Sequence, residues 1–370
     1  MQTQRRLKIG VLFGGRSAEH EVSILSARNV IAALDPARFE AVPIGITRDG
    51  RWRLQSTERL LREKGDPRAV RLDEGGADVS IGDRPGVGIV ERGAARRAHA
   101  LDVIFPIVHG PMGEDGTLQG LLELAGIPYV GAGVLGSAVG MDKDVMKRLL
   151  LAAGLPIVRH RVIRLHDYGR DPLGVLRAFD AWPYPLFVKP ANLGSSVGIS
   201  RVGARGQLPA ALDTAFTYDT KVIVEEGIVA REIECAVLGN DEPVASLPGE
   251  LVVKHPDGFY SYDAKYLDEG VGLRIPAALE AVQVREVQQL SVQAFRILEC
   301  SGLARVDFFL RPDGAWLINE INTLPGFTAI SMYPKLWAAS GVPPRELLTR
   351  LIDLALERHA QRRALRILVK

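Results

Sequence analysis

The chain has 370 residues, enough for two or three domains at about 150 residues each. Hydrophobic residues make up 47% and charged residues 24% of it, which excludes a mostly disordered chain. With 46 Lys and Arg against 44 Asp and Glu, the net charge of +2 gives no argument for a nucleic acid or an acidic membrane as partner. The 38 glycines follow no repeat and point to tight turns or to backbone approaching a ligand. Cys235 and Cys300 have no zinc-ligand spacing around them and are too few for a disulfide framework, so two reduced thiols in or near the core are expected. The longest apolar stretch, 149–158, contains Gly154 and Pro156 and falls far short of the ~20 residues that span a bilayer. No apolar segment of signal-peptide length precedes the first strand, so a cytoplasmic protein is expected.

Residues 7–13 are a short apolar run closed by Gly14-Gly15 and read as a buried strand. Ile24, Ala27, Ile31 and Leu34 then recur at helical spacing until Pro36. A second strand at 41–47 leads into an Asp49-Gly50 turn. Residues 55–100 are polar and rich in Gly and Arg, and read as a solvated periphery of helix, loop and short strand rather than a basic binding arm. Residues 101–108 form a strand that opens into HGPMGEDGTLQG, with a helix from about 117 to 124. This order is a parallel α/β layout. It predicts a site at the carboxyl ends of the strands, with residues 14–19 and His109-Gly110 on one rim.

From about Gly133 the pattern changes. One helix is predicted over 135–153, stopped by Gly154-Leu155-Pro156. A strand at 157–163, a helix at 173–181, a strand at 186–189, a glycine loop and another strand follow. Residues 221–226 and 232–238 are strands rich in Val and Ile. A long helix covers 277–299, a hairpin 303–322, and mostly helix 330–360.

The hairpin carries the sharpest chemistry. A two-residue Asp313-Gly314 turn would place Asp307 opposite Glu320 and Arg305 opposite Asn322. A four-residue loop would slide the pairing but keep all four on one face. Val306, Phe308, Leu317 and Ile321 then form the core face, with Asn319 as its polar exception. Opposed carboxylates destabilise a hairpin unless neutralised. Two readings stand: a hard cation such as magnesium, or an Arg305–carboxylate network on an exposed sheet.

In PLFVKPANLGSSVGIS (185–200) a buried strand delivers Lys189 to a Gly/Ser loop. Backbone N–H groups there suit phosphate oxygens, and a plain glycine turn is the alternative; the Walker A spacing is absent. Segment 222–234 offers backbone for an adenine edge and Glu226 or Glu232 for ribose hydroxyls, or is a plain strand connection. GFYSYDAKY (258–266) reads as a flap or as a loop packed on the surface.

Taken together, FGGRSAEHEVS (13–23), HGPMGEDGTLQGLLE (109–123), GMDKDVMK (140–147), VKPANLGSSVGIS (188–200), VEEGIVAREIE (224–234), YDAKY (262–266), ARVDFFL (304–310) and NEINTLPGFTAIS (319–331) resemble the ATP-grasp superfamily, and within it the D-alanine–D-alanine ligase family. The resemblance runs from Lys8 to about Leu356. It implies a Rossmann-like domain over 1–132, then an ATP-grasp fold of two subdomains, 133–220 and 221–370, the second carrying the hairpin and flap.

The resemblance also implies roles. Lys143 and Lys189 match the lysines that contact phosphate, and Glu225, Glu226, Ile228 and Glu232 match the adenine and ribose segment. Asp307, Glu320 and Asn322 match the ligands of two magnesium ions, for which manganese can substitute. Glu19 matches the acid that holds the first D-alanine's ammonium, and His109 lies near that substrate in the family. Arg305 and the Gly326 N–H match the oxyanion donors, and Ser331 matches a contact to the second substrate's carboxylate. Lys265 matches a flap lysine that reaches phosphate. Glu19, Ser195 and Tyr266 match a hydrogen-bonded trio that joins the amino-terminal domain to the glycine loop and flap.

The implied activity is ATP-dependent joining of two D-alanines through a D-alanyl phosphate, in peptidoglycan and cell-wall synthesis, by a homodimer. Two alternatives stand beside it: a D-alanine–D-lactate ligase and a non-catalytic nucleotide-binding regulator. Tyr266 with Lys265 resembles the dipeptide-forming type. Retention of Asp307, Glu320, Asn322 and Arg305 argues against the regulator.

Overall fold

The computed structural model describes residues 5–62, 71–73, 75–82, 86–93, 96–253 and 271–366. The chain begins β1 (Leu7–Gly14), α1 (His20–Ala33), β2 (Phe39–Ile46), β3 (Trp52–Leu54), α2 (Thr57–Arg62), β4 (Asp78–Ile81), β5 (Ile89–Glu91), β6 (Ala98–His99), β7 (Val103–Ile107) and α3 (Thr117–Leu124). Its strands make one sheet in the order β6-β5-β4-β3-β2-β1-β7. The apolar run of β1 is buried on both sides, as a central parallel strand requires. Val11 and Phe13 pack toward α1, while Leu12 faces Leu118 and Leu122 of α3.

The parallel layout read from β1, β2 and β7 holds, and β3 to β6 extend that sheet antiparallel. Only residues 47–51 separate β2 from β3. That is too short for the crossover a parallel neighbour needs, which is a dozen or more residues.

Next come α4 (Val134–Met141), α5 (Lys143–Ala152), β8 (His160–Arg164), α6 (Leu165–Arg170), α7 (Pro172–Arg177), β9 (Leu186–Pro190), β10 (Ser200–Val202), α8 (Leu208–Phe216) and β11 (Lys221–Glu226). The strands form an antiparallel sheet, β10-β9-β11-β8. The single helix predicted over 135–153 is broken at Asp142. Its backbone is extended (φ −82°, ψ 101°), and its side chain accepts the N–H groups of Asp144 and Val145 at 3.1 and 3.0 Å. It therefore caps α5 as an aspartate at that position should. The helix predicted at 173–181 ends at Arg177, and Asp171 caps it through Gly174 N–H at 2.8 Å. The strand predicted from 157 starts at His160; Ile157 instead bridges to Ile318.

The remainder is β12 (Arg231–Gly239), β13 (Val244–Ala245), β14 (Gly249–Val253), β15 (Val271–Arg274), α9 (Ala281–Ile297), β16 (Gly302–Leu310), β17 (Trp316–Asn322), α10 (Met332–Ala339) and α11 (Pro344–Ala364). The third sheet runs β15-β14-β12-β16-β17, with β13 beside β12. One of its faces packs on α5 and α9 through Met146, Leu150, Val287, Phe295, Phe308 and Ile318. Cys235 and Cys300 are both free and buried in that core, as expected.

The β16–β17 hairpin departs from its prediction twice, and the departures cancel. Arg311 N–H donates to Ala315 O at 3.0 Å, and Leu310 pairs with Trp316, so the loop is Pro312-Asp313-Gly314. Gly314 takes the left-handed conformation that such a loop requires (φ +85°). Continued unbroken, this register would set Asp307 against Asn319 and turn Glu320 to the other side. A bulge intervenes: Phe308 pairs with Ile318 and Asp307 with Glu320, leaving Asn319 as the extra residue. Arg305 then faces Asn322. The core face is consequently Val306, Phe308, Trp316, Ile318 and Ile321; Leu317 is half-buried and does not belong to it.

Candidate active site

Two cavities lie side by side and share Lys143, Gly194, Ser195, Glu234, Leu251 and Glu320. The first is also lined by Glu19, His109, Arg305, Asn322, Gly326 and Ser331. The second lies between the two antiparallel sheets and is also lined by Lys189, Glu225, Glu226, Ile228, Glu232 and Asp307. Every predicted site residue within the described chain thus falls on one of two adjoining walls. Lys265, Tyr266 and the flap segment 258–266 lie outside the described residues.

The amino-terminal wall is set by short turns. Gly14 and Gly15 both have positive φ, and a Cβ on Gly14 would stand 2.3 Å from Ile46 O, so only glycine lets β1 end this close to β2. The turn brings Glu19 to the start of α1, where Ser17 Oγ accepts its N–H at 3.0 Å. Ser195, in the glycine loop after β9, donates to Glu19 Oε1 across the first cavity. Ser195 and Ser196 both hold left-handed backbone (φ +51° and +58°), which bends the loop toward α1. His109, at the end of β7, is buried beside Glu114, with Nδ1 3.3 Å from Oε1. Burial works against an imidazolium, but Glu114 and Glu19 outweigh it and raise the His109 pKa.

Across β12, β16 and β17, Glu234, Asp307 and Glu320 stand in one row. Arg305 wedges into it. Its Nε lies 2.7 Å from Asp307 Oδ1 and 3.0 Å from Glu234 Oε2, and its Nη2 lies 2.7 Å from Asp307 Oδ2. Burial disfavours the guanidinium charge, but Asp307 and Glu234 outweigh it, and the Arg305 pKa is raised further. Lys143 Nζ lies 3.4 Å from Glu320 Oε2 and donates to Leu193 O at 2.8 Å. The two opposed acids are therefore already neutralised by cations of the chain itself.

The side chains on this wall suit a divalent ion. Asp307, Glu320 and Asn322 present two carboxylates and an amide oxygen on one face at the cavity wall, the hard-oxygen set that suits magnesium keeping water and phosphate oxygens. Among the described residues no three His, Cys, Asp or Glu side chains are gathered for a metal. The third donor here is an amide.

On the second wall, Glu225 lines the cavity but spends its carboxylate on two lysines. Lys189 Nζ is 2.6 Å from Oε2, and Lys147 Nζ is 2.9 Å from Oε1. Burial alone would raise the Glu225 pKa, yet the two ammonium groups lower it to about 2. Glu226 is half-buried, with Arg159 at 3.9 Å. Beyond β17, the loop that carries Gly326 is pinned to α1: Ser26 Oγ accepts Phe327 N–H at 3.2 Å, and Asn29 donates to Phe327 O at 3.0 Å. Ser331 Oγ accepts Thr328 N–H at 2.9 Å and so closes the loop on itself.

Sequence reasoning missed Glu114, Lys147 and Glu234. Glu234 alternates with Glu232 along β12, and Lys147 lies one helical turn after Lys143; both spacings are visible in the sequence.

Two family models match the chain, "D-ala D-ala ligase N-terminus" over residues 8–132 and "D-ala D-ala ligase C-terminus" over 149–353. A D-alanine–D-alanine ligase A of Chromobacterium violaceum is 51% identical over 358 residues, covering 95% of this chain and 96% of that protein. The D-alanine–D-alanine ligase structure from Coxiella burnetii superposes with a TM-score of 0.83 at 41% identity, covering 97% of this chain and 98% of its own. The VanG D-Ala:D-Ser ligase structure from Enterococcus faecalis reaches 0.82 at 38% identity, covering 95% and 100%.

Proposed function

The chain belongs to the D-alanine–D-alanine ligase family, and from that premise we propose how its residues divide the ATP-dependent joining of two D-alanines. The fold is that of the ATP-grasp proteins, with a Rossmann-like sheet ahead of two antiparallel sheets. The product, D-alanyl-D-alanine, serves peptidoglycan synthesis.

A carboxylate is a poor acylating agent. An oxygen of the first D-alanine's carboxylate therefore attacks the γ-phosphorus of ATP, and ADP leaves. The amine of the second D-alanine then attacks the carbonyl carbon of the acyl phosphate, a proton is lost, and inorganic phosphate leaves with its oxygen. The single observation that carries this scheme is the shared wall of the two cavities, across which a carboxylate bound in the first would face a phosphate bound in the second.

Glu19, held by Ser195, fits the ammonium of the first D-alanine, with His109 beside it. Arg305 and the Gly326 N–H, which both line the first cavity, are assigned on family membership as the donors for the tetrahedral oxyanion. Ser331 is the contact for the second carboxylate. Lys143 and Lys189 orient the phosphates, and Glu226, Ile228 and Glu232 receive the nucleoside, with Glu225 fixing Lys189. Magnesium or manganese ions held by Asp307, Glu320 and Asn322 would offset phosphate charge. Lys265 and Tyr266 are assigned to a flap that excludes water from the acyl phosphate.

Residues 1–132, 133–220 and 221–370 are proposed as the amino-terminal domain and the two ATP-grasp subdomains. Among the described residues no helix is long and apolar enough to cross a membrane, and the use of ATP supports action in the cytoplasm. A homodimer is the assembly proposed on family membership. The deciding assay supplies ATP, Mg²⁺ and D-alanine, with L-alanine as control. Release of phosphate together with D-alanyl-D-alanine is expected, and neither product would reject the scheme. D-lactate added as a competitor near neutral pH is expected to leave the dipeptide as main product; mostly depsipeptide would favour the lactate ligase.

A further inference from the structure

Lys147 is a buried charge that the reaction scheme does not use. α5 presents Lys143 to the cavity wall and, one turn later, sends Lys147 into the protein, where it is 0% exposed. Lys147 Nζ lies 3.2 Å from the backbone carbonyl oxygen of Asn319 and 2.9 Å from Glu225 Oε1. Lys189, on the other Glu225 oxygen, stands 3.5 Å from the Asn319 side-chain oxygen. A bulge leaves its extra residue outside the ladder, and the half-buried carbonyl of Asn319 then takes a donor from elsewhere. Lys147 supplies it.

Burying an ammonium is costly, and an apolar side chain of similar length would fill the space without that cost. What the charge holds explains its presence. We propose that Lys147 is a positioning residue: by gripping the Asn319 carbonyl and the Glu225 carboxylate together, it fixes the bulge that brings Glu320 onto the face of Asp307 and keeps Lys189 beside it. The neighbouring Ile318 N–H, which donates to Pro156 O at 2.8 Å, ties the same point of β17 to the segment after α5. The effect on the reaction rests on the reading of Glu320 as a metal ligand; the effect on the hairpin does not.

The test compares full-length wild type with Lys147→Met by thermal melting, Mg²⁺-dependent kinetics and hydrogen exchange. Glu225 keeps Lys189 as partner, so the variant is expected to fold. Amides of residues 318–322 should exchange at least tenfold faster, with those of 308–316 unchanged. The half-saturating Mg²⁺ concentration should rise at least fivefold and kcat fall at least tenfold, with KM for the second D-alanine within twofold of wild type. Wild-type exchange at 318–322, or acceleration spread evenly over β16 and β17, overturns the proposal. Should Lys147→Met fail to fold, Lys147→Arg keeps the charge beside Glu225 but alters the donor geometry. Faster exchange confined to 318–322 is again expected, and wild-type protection there overturns it. A wild-type enzyme indifferent to Mg²⁺ would refute the role of Glu320, and the exchange data would still decide that of Lys147.

Discussion

Arg305 grips Asp307 with both of its matching nitrogens, at 2.7 Å each, from two residues away on the same strand. The same guanidinium reaches Glu234 at 3.0 Å. A charge held in place before the reaction begins costs no reorganisation when an oxyanion develops nearby.

Arg305→Ala should therefore lower kcat by about 10²–10³-fold while ATP affinity, measured by calorimetry, stays within a few-fold of wild type. Arg305→Lys should recover little, because an ammonium cannot span both oxygens of Asp307. Comparable kcat in wild type and Arg305→Ala would reject the assignment.

Ser195→Ala removes the hydroxyl that donates to Glu19 and leaves the backbone in its left-handed turn. The KM for the first D-alanine should rise about tenfold, the loss of one charge-assisted hydrogen bond, while the KM for ATP holds. Initial rates of phosphate release at varied D-alanine test this. An effect confined to ATP would place Ser195 on the nucleotide instead.

Glu114→Gln bears on His109. In the wild type the carboxylates of Glu114 and Glu19 overcome burial and raise the His109 pKa above its ordinary 6.5. With Glu114 neutral, burial is opposed less, and His109 should titrate lower than in the wild type. Imidazole NMR titration of the two proteins reads the difference; an unchanged or higher value in the variant would show that Glu114 is not the cause.

Glu225→Gln should destabilise the protein at neutral pH by on the order of 3 kcal/mol. The folded pKa of about 2 lies below the ordinary 4.5, so the carboxylate's contribution is complete above 4.5 and is lost as pH falls through 2. Urea melts should show a constant gap between the two proteins from pH 8 to about pH 5, closing at lower pH. A gap that widens on acidification would reverse the sign.

Much of the fold was legible because burial writes a period into the chain. The run at 7–13, the helix at 117–124 and the strands at 186–189 and 221–226 stand where their apolar spacing puts them. The break at Asp142 was hidden because the apolar positions of α4 and α5 run on through it, and only the capping chemistry of the aspartate marks it. The hairpin shows how a correct pairing can follow from an incorrect turn. Asp313-Gly314 suggested a two-residue loop, the chain makes a longer one, and Asn319 absorbs the difference. No local propensity announces that bulge, since its donor, Lys147, lies 172 positions away. Lys147 and Glu234 likewise act on residues far along the chain, so the spacing within their own segments does not mark their partners.

α11 has a bearing on how the protein is made. Its Leu347, Leu351 and Ile352 close the same core as Ile9, Val11 and Phe105, and Arg358 donates to the carbonyls of Tyr129 and Gly131 while lying over the Tyr129 ring. The opening third of the polypeptide thus leaves the ribosome with one flank of its sheet covered only by α1, and it must wait for nearly the whole message to be translated before that flank is closed. Nascent chains stalled before α11 should be the ones that chaperones seize.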